Sequence, residues 1–207
     1  MYARTTTITA DPMRMDAGIA DVRDNVMPAV GGMPGYTGLS MLCDRDSGRC
    51  IVTTGWETEE AMVATRDRVR ALRDRATEQF GGGVPQVEEW EIAVMHRLQH
   101  ATDESCARVL WSRIDPARTE ETLDAFRRQI IPAMDDVPGF CSMSLLIDRT
   151  TGLGSLTTVY ADRAAMDATR DRIAEMRDGF SSQMGVTITE EAEFDVVLHQ
   201  LRVPELV

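Results

Sequence analysis

The sequence has no lysine, few aromatic residues and no long hydrophobic run. All 22 basic residues are arginine, and 34 acidic residues bring the formal net charge to −12. Nucleic-acid binding depends on a basic surface, so this balance argues against a nucleic-acid partner. No apolar stretch approaches the roughly 20 residues of a membrane helix, and the N-terminus lacks the apolar core of a signal peptide. We therefore expect a cytoplasmic protein with no membrane partner.

Cysteine and metal-ligand patterns are equally sparse. The four cysteines show no CxxC spacing. Cys43 and Cys50 flank a turn, and in a cytosolic chain we expect them to be reduced. Glycine-rich nucleotide motifs, metal-ligand clusters and Ser/His/Asp or Cys/His catalytic sets are also absent. The sequence thus predicts neither a metal nor a cofactor, and it assigns no catalytic residue.

The most informative feature that is present is an internal repeat. Residues 4–97 align with residues 108–201 without a gap, at a constant offset of 104. MPGY (33–36) aligns with VPGF (137–140), and ATRDRV (64–69) aligns with ATRDRI (168–173). This period exceeds that of solenoid repeats, which is about 20–50 residues, and it matches a small domain. We expect one domain over residues 1–100, a linker over 98–105, and a second domain over residues 106–207.

Each repeat predicts the order β-α-β-β-α-β. In the first repeat, strand-like runs cover 5–10, 36–43, 49–57 and 87–97, and helical periodicity covers 14–30 and 58–80. This order is the ferredoxin-like arrangement of the α+β class, an antiparallel sheet with both helices on one face. The other face needs a partner if it is apolar, and the second copy can supply it. We expect a pseudo-dimeric α+β barrel, with further homo-oligomers possible.

Two long segments resemble the antibiotic biosynthesis monooxygenase (ABM) superfamily of dimeric α+β barrels. They are MPGYTGLSMLCDRDSGRCIVTTGWETEEAM (33–62) and VPGFCSMSLLIDRTTGLGSLTTVYADRAAM (137–166), which contain a Pro-Gly-aromatic opening, a hairpin and the start of the second helix. Tyr160 stands where the first copy has Trp56. The resemblance implies a tandem fusion of two such units. It also implies three possible functions, namely cofactor-free oxygenation of aromatic compounds, haem degradation, or a role not yet defined.

The haem-degrading branch does not fit the residues. Its axial histidine follows the tryptophan by nine or ten residues, where this chain has Thr65 and Thr169. The three histidines, His96, His100 and His199, lie elsewhere. Haem chemistry of that kind is therefore not expected.

The candidate ligand-binding residues come from the same resemblance. In active relatives, the tryptophan at the position of Trp56 borders the ligand cleft, although a strand-end aromatic can equally be a core residue. Tyr160, Thr54, Thr65, Thr7 and Arg66 are the other candidates. Arg66 could hold an oxyanion, but it could also form surface ion pairs. The matched Arg4 and Arg108 could form salt bridges at the barrel seam.

The repeats differ in side-chain volume. Thr7, Val22 and Val30 correspond to Trp111, Phe126 and Met134. Because interiors are close-packed, we expect the second copy to be filled and the larger pocket to lie in the first, beside Trp56. That expectation depends on strand parity, since a shift of one residue reverses the face.

The sequence supports two classes of function. One is a cofactor-independent monooxygenase that acts on an aromatic or polyketide-like molecule. The alternative is a non-catalytic protein of the same fold, either structural or binding a small apolar molecule. Whether the chain is an enzyme stays open at this point.

Overall fold

A computed structural model describes all residues, 1–207, and each repeat has the order β-α-β-β-α-β. The first repeat contains β1 (Tyr2–Thr9), α1 (Met15–Asp21), α2 (Met27–Gly31), β2 (Tyr36–Cys43), β3 (Arg49–Trp56), α3 (Glu59–Ala64), α4 (Arg66–Phe80) and β4 (Gln86–Arg97). The second contains β5 (Cys106–Arg113), α5 (Thr119–Asp135), β6 (Phe140–Asp148), β7 (Leu153–Tyr160), α6 (Arg163–Ala168), α7 (Arg170–Met184) and β8 (Thr187–His199). The predicted α+β class and element order are confirmed.

The second helical region of each repeat is two helices rather than one. Thr58 and Asp162 cap α3 and α6, because their side chains accept hydrogen bonds from the amides of Ala61 (3.1 Å) and Ala165 (2.7 Å). Thr65 then separates α3 from α4, so the single helix expected over 58–80 is interrupted. Periodicity does not reveal this break, because the apolar stripe continues across it.

The first helical region also departs from a regular helix in the first repeat only. A π-helical segment, Val22–Val26, joins α1 to α2, whereas α5 is continuous over 17 residues. Pro28 lies just beyond the π segment and cannot donate a backbone hydrogen bond to the preceding turn. α5 accommodates Pro132 without a change of helix type.

The strands form one antiparallel series. In order of hydrogen bonding they run β1-β3-β2-β8-β5-β7-β6-β4, and the series closes as a barrel. The two hairpins share one register, since Cys43 pairs with Cys50 and Ile147 pairs with Gly154 at matched positions. This topology confirms the predicted tandem α+β barrel.

The chain divides into two compact units that cross the repeat boundary. Unit 1 contains residues 1–90 and 195–203, and unit 2 contains residues 91–194 and 204–207. The expected boundaries at residues 100 and 106 mark the repeats in the sequence, while the units divide inside β4 and β8. The end of β8 pairs with β2, and the end of β4 pairs with β6. The last strand of each repeat is therefore divided between the two units.

Each unit has its own apolar core. In unit 1 the core includes Trp56, Phe80, Met62 and Leu39, all essentially inaccessible to solvent. In unit 2 it includes Tyr160, Phe140, Met143 and Met166. Cys43 and Cys50 are buried free thiols whose Sγ atoms lie 2.8 Å apart. None of the helices has the length and apolar content needed to cross a membrane.

Candidate functional site

Each unit contains a cavity between its sheet and its helices, at matched positions. The cavity of unit 2 has a volume of about 110 Å³, and that of unit 1 about 30 Å³. Every residue that lines the smaller cavity has its counterpart, 104 positions later, in the lining of the larger one. The two cavities are thus the same feature of the fold, and they differ in size.

The expectation of a larger pocket in the first repeat is wrong. The larger cavity lies in the second repeat beside Tyr160, and Phe126 and Met134 line it without filling it. Side-chain volume was added in this repeat, as the sequence indicates, yet the space became larger. The explanation lies in the spacing of the helices.

Helices α1 and α4 approach closely in the first repeat because of a glycine. Gly18 of α1 faces Phe80 of α4, and a Cβ at Gly18 would lie 2.3 Å from the phenyl ring. The ring therefore occupies the space of the missing side chain and is fully buried. This packing brings the two helices together and leaves little room beneath them.

Larger side chains separate the corresponding helices of the second repeat. Thr122 replaces Gly18, and Phe180 of α7 replaces Ala76. Phe126 and Phe180 meet edge to face with ring centroids 5.9 Å apart, and both line the cavity. The backbones of α5 and α7 do not pack closely as those of α1 and α4 do. The added volume lies between the helices and opens the cavity.

The strand parity assumed for Thr7 and Trp111 is also wrong. On β1 the cavity is lined by Arg4, Thr6 and Ile8, and on β5 by the matched Arg108, Leu110 and Ser112. Successive residues of a strand face opposite sides. Thr7 and Trp111 therefore lie on the other face of their strands, and Trp111 does not occupy the cavity.

The candidates on β3 are divided between core and cavity. Trp56 is fully buried in the core and does not line the small cavity, and its ring packs edge to face on Tyr36 at 5.8 Å. Its indole N–H donates to Oγ1 of Thr54 at 3.2 Å. Thr54 does line the cavity. In the first repeat the polar atom of the aromatic side chain is thus already satisfied by the protein.

Thr65 and Arg66 do not reach either cavity. The Thr65 hydroxyl donates to the carbonyl oxygen of Met62 at 2.9 Å. Arg66 is exposed and holds Glu89 of β4, with Nη2 2.5 Å from Oε2. Structural contacts therefore account for both side chains.

Arg4 and Arg108 form ion pairs, as the sequence suggested, and they also line the cavities, which the sequence did not indicate. Arg108 is buried, and its Nε and Nη2 donate to Oε1 of Glu193 at 3.3 and 2.9 Å. Burial alone would raise the pKa of Glu193, but Arg170 and Arg108 hold it below its ordinary value. The Nη1 group of Arg108 takes part in neither bond. The sequence does contain a signal for this position. The first strand of both repeats has an arginine at the same place, on the strand face that lines the cavity.

Tyr160 differs from Trp56 in having an unsatisfied polar atom. Its side chain is fully buried, lines the large cavity, and its hydroxyl has no hydrogen-bond partner. The nearby Thr169 hydroxyl donates instead to the carbonyls of Ala165 and Met166. Burial raises the pKa of Tyr160 to about 12, although the charge of Arg108 opposes this. Tyr160 is therefore a neutral hydrogen-bond donor at pH 7, close to a positive charge.

His96 is held by two carboxylates away from this cavity. Nε2 lies 2.6 Å from Oδ1 of Asp135, Nδ1 lies 2.5 Å from Oε1 of Glu205, and the ring stacks on Phe140. Burial alone would lower the pKa of His96, but the two carboxylates outweigh burial and raise it. The imidazolium therefore ties α5 and the C-terminal residues to β4.

We expect this contact to make stability depend on pH. Because the folded-state pKa of His96 is raised, its stabilisation is complete below about pH 6.5 and is lost as pH rises through the raised value. The His96→Gln variant should be less stable than the wild type by about 1 kcal/mol at pH 5.5, with a smaller gap at pH 8.5. Denaturant unfolding of both proteins at the two pH values measures this. A gap that does not change with pH would contradict the assignment.

Solved structures place the fold among monooxygenase-like proteins. A candidate monooxygenase from Lactobacillus acidophilus aligns over 98% of this chain and 97% of its own, with a TM-score of 0.70 and 14% identity. An anthrone oxidase-like protein aligns over 94% and 90%, with a TM-score of 0.67 and 16% identity. A ferredoxin-fold protein from Listeria monocytogenes, related to antibiotic biosynthesis monooxygenases, aligns over 95% of each chain at a TM-score of 0.53 and 7% identity. The fold is therefore that of the tandem ABM-like barrels.

Sequence relatives define the family more narrowly. The chain is 44% identical over its full length to the uncharacterized protein Rv2557 of Mycobacterium tuberculosis, covering 92% of it. It is 41% identical to the uncharacterized protein Rv2558 of the same organism, covering 88%. The chain belongs to the family of these two proteins. No protein-family model matches it.

Proposed function

We propose that the cavity of the second repeat binds a small phenolic or enolic aromatic molecule, and that the protein oxygenates it without a cofactor. The observation that carries this proposal is the Tyr160 hydroxyl, which is fully buried on an apolar cavity and has no partner in the protein. Such a group is costly to bury unless another molecule satisfies it. A ligand oxygen would do so.

The cavity suits a small ring system. Leucine, isoleucine, methionine and phenylalanine side chains form most of its wall. Its volume of about 110 Å³ approaches the roughly 150 Å³ of an engineered apolar cavity that binds benzene. A compact aromatic molecule is therefore of the appropriate chemical class, and the net charge of −12 also favours a small molecule over nucleic acid.

Tyr160 and Arg108 together favour an anionic oxygen. The phenol of Tyr160 can donate a hydrogen bond, and the guanidinium of Arg108 supplies positive charge from the same cavity wall. Donors fixed in a poorly solvated site stabilise an oxyanion more than water does. They would lower the pKa of a bound phenol and increase the fraction present as the electron-rich anion.

The reaction that fits is direct oxygenation of this anion by O₂. A phenol with an unsubstituted carbon ortho or para to its oxygen would react as phenol + O₂ → quinone + H₂O. One oxygen atom forms the new carbonyl, and the other leaves as water with the phenolic hydrogen and the ring hydrogen. The substrate supplies the electrons, and the protein contributes binding and oxyanion stabilisation.

One observation favours the non-catalytic alternative. Asp148 is the only carboxylate that lines the cavity, no histidine does, and Asp148 is engaged by the amide of Thr150 and the hydroxyl of Thr151. Its pKa is lowered mainly by that hydroxyl, so it is a weak base. Without a side-chain base, water would have to accept the phenolic proton of the ligand. A protein that binds a phenol without oxidising it uses the same cavity.

Binding and turnover can be tested with 2-naphthol. We expect one molecule to bind per chain and to absorb as naphtholate at a pH where free 2-naphthol is protonated. Tyr160→Phe should weaken binding about tenfold or more, since a hydrogen bond to a charged group contributes about 1.5–3 kcal/mol. The same change should leave the free protein as stable or stabilise it by about 1 kcal/mol, because a buried unsatisfied hydroxyl is removed.

The control is Trp56→Phe in the first repeat, which should not change binding. Oxygen uptake that depends on 2-naphthol would support the monooxygenase, and binding without uptake would support the alternative. Unchanged affinity in Tyr160→Phe would contradict the proposed site.

A further inference from the structure

The cavity of the second repeat contains a second hydroxyl that the proposed function does not use. Thr122 lies on α5 and is 7% exposed, and its side chain lines the cavity. Its Oγ1 atom is buried and has no hydrogen-bond partner. It shares this condition with the hydroxyl of Tyr160 in the same cavity.

The isolation of this hydroxyl is unusual for a helical threonine. Thr65, Thr77 and Thr169 each donate to the carbonyl oxygen four residues earlier, at 2.9–3.3 Å. A helical threonine normally has this option, which satisfies its hydroxyl within the helix. Thr122 makes no such bond, so its hydroxyl is available to a molecule in the cavity.

The two hydroxyl-bearing residues belong to opposite ends of the cavity. Leu123, next to Thr122, packs on Ile147, which pairs with Gly154 at the start of β7. Tyr160 is the last residue of β7, six residues after Gly154. Thr122 and Tyr160 therefore line the cavity near opposite ends of β7.

We propose that Thr122 is a second ligand contact and selects molecules with an oxygen at each end of a fused ring system. This inference rests on the proposed function, which places an oxygen at Tyr160 and Arg108. A second oxygen, as a hydroxyl or carbonyl at the far end, would pair with Oγ1 of Thr122. A one-oxygen ligand leaves that hydroxyl unsatisfied.

The first repeat lacks this contact altogether. Gly18 stands at the position of Thr122, and the ring of Phe80 occupies the space where a side chain would be. The Tyr160 counterpart, Trp56, has its polar atom bound to Thr54. The two unpaired hydroxyls proposed to contact the ligand are thus found only in the second repeat.

Two naphthalene probes test the proposal on the full chain. They are 2-naphthol, with one oxygen, and 2,6-dihydroxynaphthalene, with an oxygen at each end. We expect the wild type to bind the diol at least tenfold more tightly. Thr122→Val keeps the side-chain shape and removes the hydroxyl, so this variant should bind the diol no more tightly than it binds 2-naphthol. Thr122→Ser keeps the hydroxyl and should retain the preference.

The outcomes separate the two proposals. Equal affinities in the wild type, or a preference that persists in Thr122→Val, would overturn the role of Thr122 while the Tyr160 site stands. Tyr160→Phe should weaken both probes. Failure of both probes to bind the wild type would overturn the proposed function and this inference with it. Should Thr122→Val fold poorly, Thr122→Ala supplies the same comparison.

Discussion

Replacing Leu156 with tryptophan should abolish ligand binding. Leu156 lines the large cavity from the middle of β7. An indole there would occupy much of a space of about 110 Å³, because buried side chains fill adjacent cavities where they can. We expect the affinity for 2-naphthol to fall at least about 100-fold, which corresponds to about 2.7 kcal/mol. Titration calorimetry measures this directly.

The matched control is Val52→Trp at the same position of the first repeat. Val52 lines the cavity of about 30 Å³, which cannot accept an indole without strain. This variant should lose about 1–3 kcal/mol of stability and bind 2-naphthol normally. Loss of binding in Val52→Trp with retention in Leu156→Trp would show that the ligand occupies the first repeat.

Trp56→Ala should cause the largest loss of stability. The Trp56 side chain is fully buried and packs within the core of unit 1. Truncating a buried aromatic residue to alanine costs about 3–5 kcal/mol, because transfer energy is lost and a cavity remains. The folded fraction should still bind 2-naphthol with wild-type affinity. Urea unfolding and a binding titration of the same sample measure both quantities.

The exposed Met13 provides the reference for this variant. Met13→Ala changes a side chain that is 95% exposed and should alter stability by less than about 0.5 kcal/mol. A Trp56→Ala protein that is as stable as this reference would contradict the core role of Trp56. One that folds normally but loses binding would return the ligand site to the first repeat.

The fold was predictable because both repeats carry the sequence signals for the same strands, helices and turns. The matched positions of the two repeats carry the same turns, such as Gly48 and Gly152, each at positive φ and each close to a backbone carbonyl. The division of β4 and β8 between units was not predictable. A continuous strand shows the same alternation of side chains between its two faces whether its two halves belong to one unit or to two.

The size of the cavity was mispredicted for a specific reason. A sum of side-chain volumes counts Phe126 as filling the cavity, whereas its ring packs against Phe180 between two helices. The decisive substitutions were Gly18 to Thr122 and Ala76 to Phe180, which set the helix spacing. Their effect depends on which side chains face each other across the helix interface, and the sequence of one repeat does not contain that pairing.

The polar site was only partly visible for a related reason. Tyr160 entered the candidates as the partner of Trp56, but its importance comes from a hydroxyl without a partner. Satisfaction of a hydrogen bond is a property of the folded neighbourhood rather than of the residue type. Arg108 was recognised as a repeated residue, and only its position on the cavity wall connects it to Tyr160.

The most direct test of the account is a crystal structure of the chain with bound 2-naphthol. We predict one molecule per chain in the cavity of the second repeat, with its oxygen within hydrogen-bond distance of the Tyr160 hydroxyl and on the side of Arg108. The matched cavity beside Thr54 should contain no ligand. A ligand bound in the first repeat, or in both, would contradict the claim that the second repeat holds the functional site.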